Sequence, residues 1–149
     1  MSVVYANLGS NLGNRKSLIE RAIHRIGDIF GYYCVSGYVE SDPWGFSSAN
    51  RFLNIGVAFR STLHPEMILE KLQAIEKEIS AVAHRDETGR YKDREIDIDI
   101  MDIQGMEYHS ATLHVPHPHL SDRPFFLIPY HELKVNEEIE KSIELKSKD

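Results

Sequence analysis

The sequence predicts an α+β fold, and three observations lead to that prediction. Apolar and polar residues alternate with a period of two in several short stretches, which is typical of strands. Two longer stretches carry apolar residues at helical spacing. Their order is strand, helix, strand, strand, helix, strand, which fits a ferredoxin-like sandwich: an antiparallel sheet with helices on one face, here followed by extra C-terminal strands and a helix.

One domain, residues 1–149, accounts for the length and composition. A chain of 149 residues with 42% hydrophobic residues can build one ordinary core. From Lys134 onward Glu and Lys dominate, so we expect the tail after about residue 134 to be loosely held.

The two helices have recognisable ends. Asn14 can cap the first helix and Gly31 supplies its stop. Pro65 opens the second helix at a position where its missing N–H is not needed, and Glu66 is favourable in the first turn. The predicted elements are, in order, a strand over 3–8, a helix over 15–30, a strand over 32–40, a loop over 41–50, a strand over 52–59, a helix over 65–79, an acidic strand over 94–100, short strands over 106–108 and 113–115, and a short helix around 125–127.

The strand over 52–59 has two unlike faces. One face carries only apolar residues, namely Leu53, Ile55, Val57 and Phe59; the other carries Phe52, Asn54, Gly56 and Ala58. This second face could be a floor for a flat heterocycle, with Asn54 donating and accepting hydrogen bonds at the ring edge. It could equally be where a helix packs, with the two small residues making room.

The acidic strand carries the strongest chemical signal. Its isoleucines point to one side, whereas Glu95, Asp97 and Asp99 point to the other. Carboxylates two residues apart on one strand face lie about 6.6–7 Å apart at the Cα, and they repel unless a cation lies between them. Oxygen ligands suit Mg²⁺, and two such ions can clamp a phosphoryl group. A strand with one solvated face also alternates in this way, so alternation alone leaves both interpretations open.

The charge balance excludes some partners. A net charge of −6 argues against a nucleic-acid or membrane-surface role, which would need a basic face. It does not exclude a nucleotide, because ATP carrying two Mg²⁺ ions is close to neutral. The N-terminus has no basic region followed by a long apolar run, so the expected location is cytoplasmic.

The cysteine and the clustered histidines do not favour a transition metal. Cys34 is the only cysteine and has no CxxC partner. His114, His117 and His119 lie within six residues, but the prolines between them stiffen the backbone.

Five motifs, in the same order, resemble those of one enzyme family. They are Gly9-Ser10-Asn11-Leu12-Gly13, Phe52-Leu53-Asn54, the acidic stretch from Arg94 to Ile100, Val115-Pro116-His117-Pro118, and Arg123-Pro124-Phe125. In these motifs the chain resembles the 6-hydroxymethyl-7,8-dihydropterin pyrophosphokinases of folate biosynthesis. The resemblance implies transfer of the pyrophosphoryl group of ATP to the hydroxymethyl oxygen of the pterin, with release of AMP.

The resemblance also implies the site residues. Asp97 and Asp99 would hold two Mg²⁺ ions, and Arg94 would bind phosphate beside them; these three form the predicted catalytic group. The pterin would stack between Phe52 and Phe125. Its ring edge would be read by Asn54 and by the loop residues Ser41, Asp42, Trp44 and Gly45. The ATP-binding positions would be Gln73, Glu76, Arg90, Arg94, Ile100, His117 and Arg123.

The departures from the family pattern concern the cations near the phosphates. Thr112 stands where some members have an arginine near the triphosphate, and Ser80–Ala83 replaces a Gly-Arg-x-Arg run. Arg85, Arg90 and Lys92 are the remaining candidates, in a stretch without regular period that could be a lid over the phosphates or an ordinary solvated loop.

Two other functions stay open from the sequence. The chain could be a regulatory module of this fold that binds pterin or nucleotide without chemistry. It could also be a two-metal phosphotransferase with another acceptor. In each case the expected partners are small molecules, with ATP and a reduced hydroxymethylpterin as the first choice.

Overall fold

The computed structural model describes residues 2–44, 46, 48–80 and 93–147, with side chains described to residue 138. The stretch over 81–92 therefore lies outside the described residues, and with it the lid hypothesis and the placement of Arg85, Arg90 and Lys92. The elements are β1 (Ser2–Ser10), α1 (Arg15–Phe30), β2 (Tyr32–Val35), β3 (Val39–Ser41), β4 (Phe52–Ser61), α2 (Pro65–Ile79), β5 (Asp97–Ile103), β6 (Tyr108–His109), β7 (His114–Val115) and α3 (Pro124–Ser147).

The main sheet is antiparallel, with strand order β2–β4–β1–β5 and with β3 also paired to β4. Because β2 and β3 lie along the same edge of β4, they act as one interrupted strand. The order is then that of a ferredoxin-like sandwich, and the predicted α+β class is confirmed. Strands β6 and β7 form a separate two-stranded hairpin.

The prediction of one continuous strand over 32–40 is wrong, because the strand is interrupted after Val35. Val35 pairs with Val57 and Val39 with Asn54, so four steps along this edge match three steps along β4 and one residue bulges out. At the interruption the Ser36 hydroxyl, not a backbone carbonyl, accepts the hydrogen bond from Gly56 N, at 2.7 Å.

Helices α1 and α2 cover one face of the sheet, as predicted. Asn14 Oδ1 accepts from Ser17 N at the start of α1, and Gly31 ends that helix with φ of 76°. Pro65 stands at the start of α2. The helix residues buried against the sheet are Ile19, Ala22 and Ile26 of α1 and Ile68, Leu72, Ile75 and Ile79 of α2.

The prediction of a short third helix is also wrong: α3 has 24 residues and covers the opposite face of the sheet. Phe126 and Leu133 pack there with Ala58. Phe126, Tyr130 and Leu133 lie at helical spacing on the side that faces the sheet, but Pro129 stands among them, and a proline inside a helical pattern usually indicates a helix end. Among the described helices, none is long and apolar enough to cross a membrane.

Helix α3 makes its closest approach to the sheet at Gly56. A Cβ at this glycine would lie 2.8 Å from Pro129 Cβ and 2.9 Å from Leu133 Cδ1, so only glycine fits without displacement. Helix packing therefore explains Gly56 and Ala58, one of the two roles considered for this face of β4. Phe52 and Asn54, nearer the start of the strand, lie beyond the helix contact and face a cavity instead.

Candidate active site

The alternation of β5 places its carboxylates on the face of the sheet away from α1 and α2. Ile98 and Ile100 are buried in the core beneath those helices. Asp97 and Asp99 are half-buried and line a cavity on the other face. In the pairing with β1, Asp97 lies opposite Gly9 and Asp99 opposite Asn7.

Arg94 is buried beside the first aspartate. Its Nη1 lies 2.6 Å from Asp97 Oδ2, and its own exposed fraction is 9%. Its backbone is held by Asn11, whose Oδ1 accepts from Arg94 N at 2.7 Å and whose N–H donates to Arg94 O at 3.0 Å. The Gly9–Gly13 motif thus positions the arginine through its asparagine, a role that the sequence did not predict.

A third carboxylate converges on the same place from α2. Glu76 is 8% exposed, and its Oε2 accepts from Ile98 N at 2.8 Å. Burial, followed by the charge of Asp97, raises the pKa of Glu76 to about 9. Burial and the charge of Asp97 also raise the pKa of Asp99, against the opposing effect of Arg94 and Arg123.

These carboxylates fit a divalent cation in their chemistry. Asp97, Asp99 and Glu76 lie close together, so a positive charge among them would reduce their mutual repulsion, and their oxygen atoms are the donors that such a cation prefers. Among the residues that the structure describes, no group of three or more His, Cys, Asp and Glu side chains is arranged to hold a metal by itself. Mg²⁺ commonly takes only one or two carboxylates and completes its shell with water and substrate phosphates, so Asp97 and Asp99 suffice on the protein side.

The first cavity encloses about 190 Å³ between β1, β4, β5 and the start of α3. Aromatic side chains form much of its wall: the Trp44 and Phe125 ring centroids lie 6.3 Å apart, as do those of Phe46 and Phe52. Its lining residues are Asn7, Gly9, Asp42, Trp44, Phe46, Phe52, Asn54, Arg94, Asp97, Asp99, His117, His119, Arg123, Phe125 and Phe126. A flat heterocycle suits such a cavity, because aromatic walls give stacking area and a few polar groups fix orientation.

Asn54 has less freedom than the sequence suggested. Its Nδ2 donates both to Val39 O at 3.1 Å and to Ser41 Oγ at 2.8 Å, so both amide hydrogens are used within the protein. The expectation that Asn54 donates and accepts at a ring edge is therefore wrong in part: only Oδ1 remains to accept from a ligand. Ser41 accepts this hydrogen bond from Asn54 and is not part of the cavity lining formed by the described residues.

Arg123 lies among the aromatic residues of the first cavity. Its guanidinium carbon is 4.9 Å from the centroid of the Trp44 ring and 5.0 Å from that of Phe126. Held over these rings, the cation acts on Asp99, whose pKa it lowers against the larger effect of burial.

A second cavity of about 250 Å³ lies between α2, β5 and the β6–β7 hairpin. It is lined by Leu69, Ile98, Asp99, Ile100, Thr112, Leu113, His114, His117 and Pro118. Asp99 and His117 belong to both cavities, so the two open onto the same acidic centre. Burial, then the charges of Arg123 and His119, lowers the pKa of His117 to about 4, which leaves this imidazole neutral at pH 7.

The structure brings most of the predicted residues together. The first cavity contains Asp42, Trp44, Phe52, Asn54, Arg94, Asp97, Asp99, His117, Arg123 and Phe125, and the second contains Ile100 with Asp99 and His117. Glu76 lies beneath the aspartates. Gln73 is exposed on α2, outside the lining that the described residues give either cavity. Gly45 and Arg90 lie outside the described residues.

Several lining residues were not predicted. Asn7 interrupts an otherwise apolar run in the first strand, and that break was the available signal. Phe46 and Phe126 adjoin predicted positions but carry no pattern of their own. His114 comes from the hairpin, whose place beside α2 depends on contacts distant in sequence, such as Thr112 Oγ1 with Glu66 Oε2 at 2.8 Å.

Two cavities that open onto one charged centre, on a ferredoxin-like scaffold, fit a class of protein: a group-transfer enzyme that brings two small substrates together. Comparison with known proteins then specifies the family. The family model described as 7,8-dihydro-6-hydroxymethylpterin-pyrophosphokinase matches residues 5–135. The chain belongs to this family.

Curated relatives align with this chain over most of their length. Proteins named 2-amino-4-hydroxy-6-hydroxymethyldihydropteridine pyrophosphokinase from several bacteria are similar to this chain, among them those of the following three species. That of Porphyromonas gingivalis is 41% identical over 132 residues, covering 87% of this chain and 88% of the relative. That of Aquifex aeolicus is 37% identical over 136 residues, covering 91% and 82%. That of Bacillus subtilis is 31% identical over 134 residues, covering 89% and 78%.

Proposed function

We propose that this member of the family transfers the pyrophosphoryl group of ATP to the hydroxymethyl oxygen of 6-hydroxymethyl-7,8-dihydropterin, releasing AMP, as a step of folate biosynthesis. One observation carries the proposal beyond family membership: an aromatic cavity and a largely apolar cavity share Asp99 and His117. The aromatic cavity suits the pterin, and the second cavity suits a nucleoside whose phosphates extend toward β5. The reacting oxygen and the phosphates would then meet at the aspartates.

Asp97 and Asp99 are the proposed ligands of two Mg²⁺ ions. Such ions, when bound, neutralise the phosphates and lower the pKa of the attacking hydroxyl. The protein supplies carboxylates that repel one another and a neighbouring Glu76 whose pKa is raised. Arg94 lies 2.6 Å from Asp97, and its proposed role is to exchange that partner for a phosphate oxygen and to stabilise charge on the bridging oxygen to AMP.

The pterin would be held by stacking and by one amide oxygen. Phe52 and Phe125 line the cavity, and Asn54 Oδ1 is oriented to accept from a ring N–H or amino group. Asp42 and Trp44 lie at the same cavity, and we assign them and Gly45 to the pterin side. On the nucleotide side we assign Ile100 and the neutral His117, with Arg123 above the phosphates; Gln73 and Arg90 stay predictions from the resemblance.

One assay separates this function from the two alternatives. AMP is measured with ATP, Mg²⁺ and 6-hydroxymethyl-7,8-dihydropterin together, and then with each omitted. We expect AMP only in the complete mixture. Binding of both ligands without AMP would indicate a regulatory module, and pterin-independent AMP or ADP formation would indicate a phosphotransferase with another acceptor. A cytoplasmic location and the absence of nucleic-acid partners stay predictions.

A further inference from the structure

We propose that Asn7 is a positioning residue for the pterin, acting through Asn54. This inference rests on the proposed binding of the pterin in the first cavity. Asn7 and Asn54 both line that cavity, on neighbouring strands of the sheet, and both are nearly fully buried at 3% and 2% exposure. The roles proposed for the other lining residues, namely metal binding by the acidic strand and stacking by the aromatic residues, do not explain why position 7 is an asparagine.

The orientation of Asn54 is fixed from one side by its neighbours. Val39 O is a backbone carbonyl and can only accept, so the atom 3.1 Å from it must be the amide nitrogen of Asn54. Asn54 Oδ1 therefore turns away from β3, toward β1. There a Cβ at Gly9 would lie only 3.1 Å from this oxygen, so the glycine leaves it open to the cavity.

Asn7 supports that orientation from the other side. Its Nδ2 donates to Asn54 Oδ1 at 3.4 Å, so the two amides form a chain that runs from Asn7 to Val39 and Ser41. If the Asn54 amide were turned by 180°, its NH2 group would face the NH2 group of Asn7. Its Oδ1 would then face the backbone carbonyl oxygen of Val39. The chain thus keeps Asn54 as an acceptor toward the ligand, which suits the N–H and amino donors at the edge of a pterin ring.

Asn7 contributes little to the stability of the free protein. Its single hydrogen bond to Asn54 is long, and its Oδ1 is buried without a hydrogen-bond partner among the described residues. A buried polar atom left unpaired costs free energy, so an alanine at this position should fold at least as well. The benefit of the asparagine therefore lies in binding.

The test measures pterin and nucleotide affinity separately. Binding of 6-hydroxymethyl-7,8-dihydropterin is titrated calorimetrically with Mg²⁺ and a nonhydrolysable ATP analogue present, in the wild-type protein and in Asn7→Ala, Asn7→Ser and Asn54→Ala. We expect Asn7→Ala to raise the pterin Kd about tenfold, the loss of one oriented hydrogen bond. The Kd of the analogue should change less than twofold, KM for pterin should rise far more than kcat falls, and Tm should not decrease.

Ser36→Ala is the matched control, because Ser36 is also buried and polar but bonds Gly56 N outside the cavity. This control should lower Tm without changing the pterin Kd. If Asn7→Ala and Asn7→Ser behave like Ser36→Ala, Asn7 has a structural role and the inference is overturned. If Asn54→Ala itself binds pterin normally, the pterin does not occupy this cavity, and the proposed site fails together with the inference. A loss in Asn54→Ala without a loss in the Asn7 variants removes the role of Asn7 alone.

Discussion

The two aspartates of β5 should respond oppositely when each is neutralised without a change of shape. Asp97→Asn removes the carboxylate whose Oδ2 lies 2.6 Å from Arg94 Nη1, and the arginine is only 9% exposed. Asp99→Asn removes a half-buried carboxylate whose pKa is raised, first by its loss of solvent and then by the charge of Asp97. The first change weakens a buried ion pair, and we expect this loss to outweigh the repulsion from Asp99 and Glu76 that it also relieves; the second change only relieves repulsion.

The size of the first effect follows from the burial of the pair. Removing one partner of a fully buried ion pair costs about 3–5 kcal/mol. The Arg94 and Asp97 side chains are 11% and 19% exposed, so some solvent reaches them and we expect about 2 kcal/mol instead. For a domain of this length that corresponds to a decrease in Tm of about 4–8 °C. Asp99→Asn should raise Tm.

Calorimetry and urea unfolding at pH 7 without divalent cations measure the change in Tm and in the free energy of unfolding for both variants. The AMP assay measures their turnover. Both variants should lose about a hundredfold or more in turnover, because both carboxylates face the phosphates in the proposed site. Added Mg²⁺ with an ATP analogue should stabilise the wild-type protein more than either variant. A decrease in Tm for Asp99→Asn, or near-normal turnover in either variant, would refute the proposed acidic centre.

Three further outcomes follow from the same contacts. The pKa of Glu76 in the folded protein is about 9 against an ordinary value of 4.5, so its contribution to stability is present below pH 4.5 and is lost as pH rises toward 9. The free energy of unfolding in urea should therefore depend less on pH across this range in Glu76→Gln than in the wild-type protein. Gly56→Ala should cost about 1–3 kcal/mol in the same measurement, since its Cβ would lie 2.8 Å from Pro129 Cβ. Tyr130→Phe should lower Tm with unchanged AMP formation, because it removes only the 2.6 Å hydrogen bond to Asp102 Oδ2.

The elements that were predictable from the sequence are those whose cause is local. The helix caps at Asn14 and Gly31 and the alternation around Asp97 depend on residues within a few positions of each other. The length of α3 does not, because a proline at position 129 usually ends a helix, whereas here it packs against Gly56 of the sheet within a continuous helix. The break after Val35 also has a distant cause, since Ser36 replaces a backbone acceptor for Gly56.

In the candidate site, too, features with a local cause could be predicted and features with a distant cause could not. The acidic strand and the aromatic residues could be assigned by motif, and the structure gathers them around one centre. The hydrogen-bond state of Asn54 could not be assigned, because it depends on Val39 and Ser41 across the sheet. The sequence therefore indicated which residue types line the cavity, but not which of their atoms remain available to a ligand.

The face of β4 that allowed two interpretations is divided between a cavity and a helix contact. Near its start Phe52 and Asn54 line the cavity, and further along Gly56 and Ala58 receive α3. These uses are connected, because the same helix begins at Pro124 and places Phe125 in the cavity wall. Close packing at Gly56 thus sets the height of α3 above the sheet and, with it, the width of the space in which a heterocycle would stack.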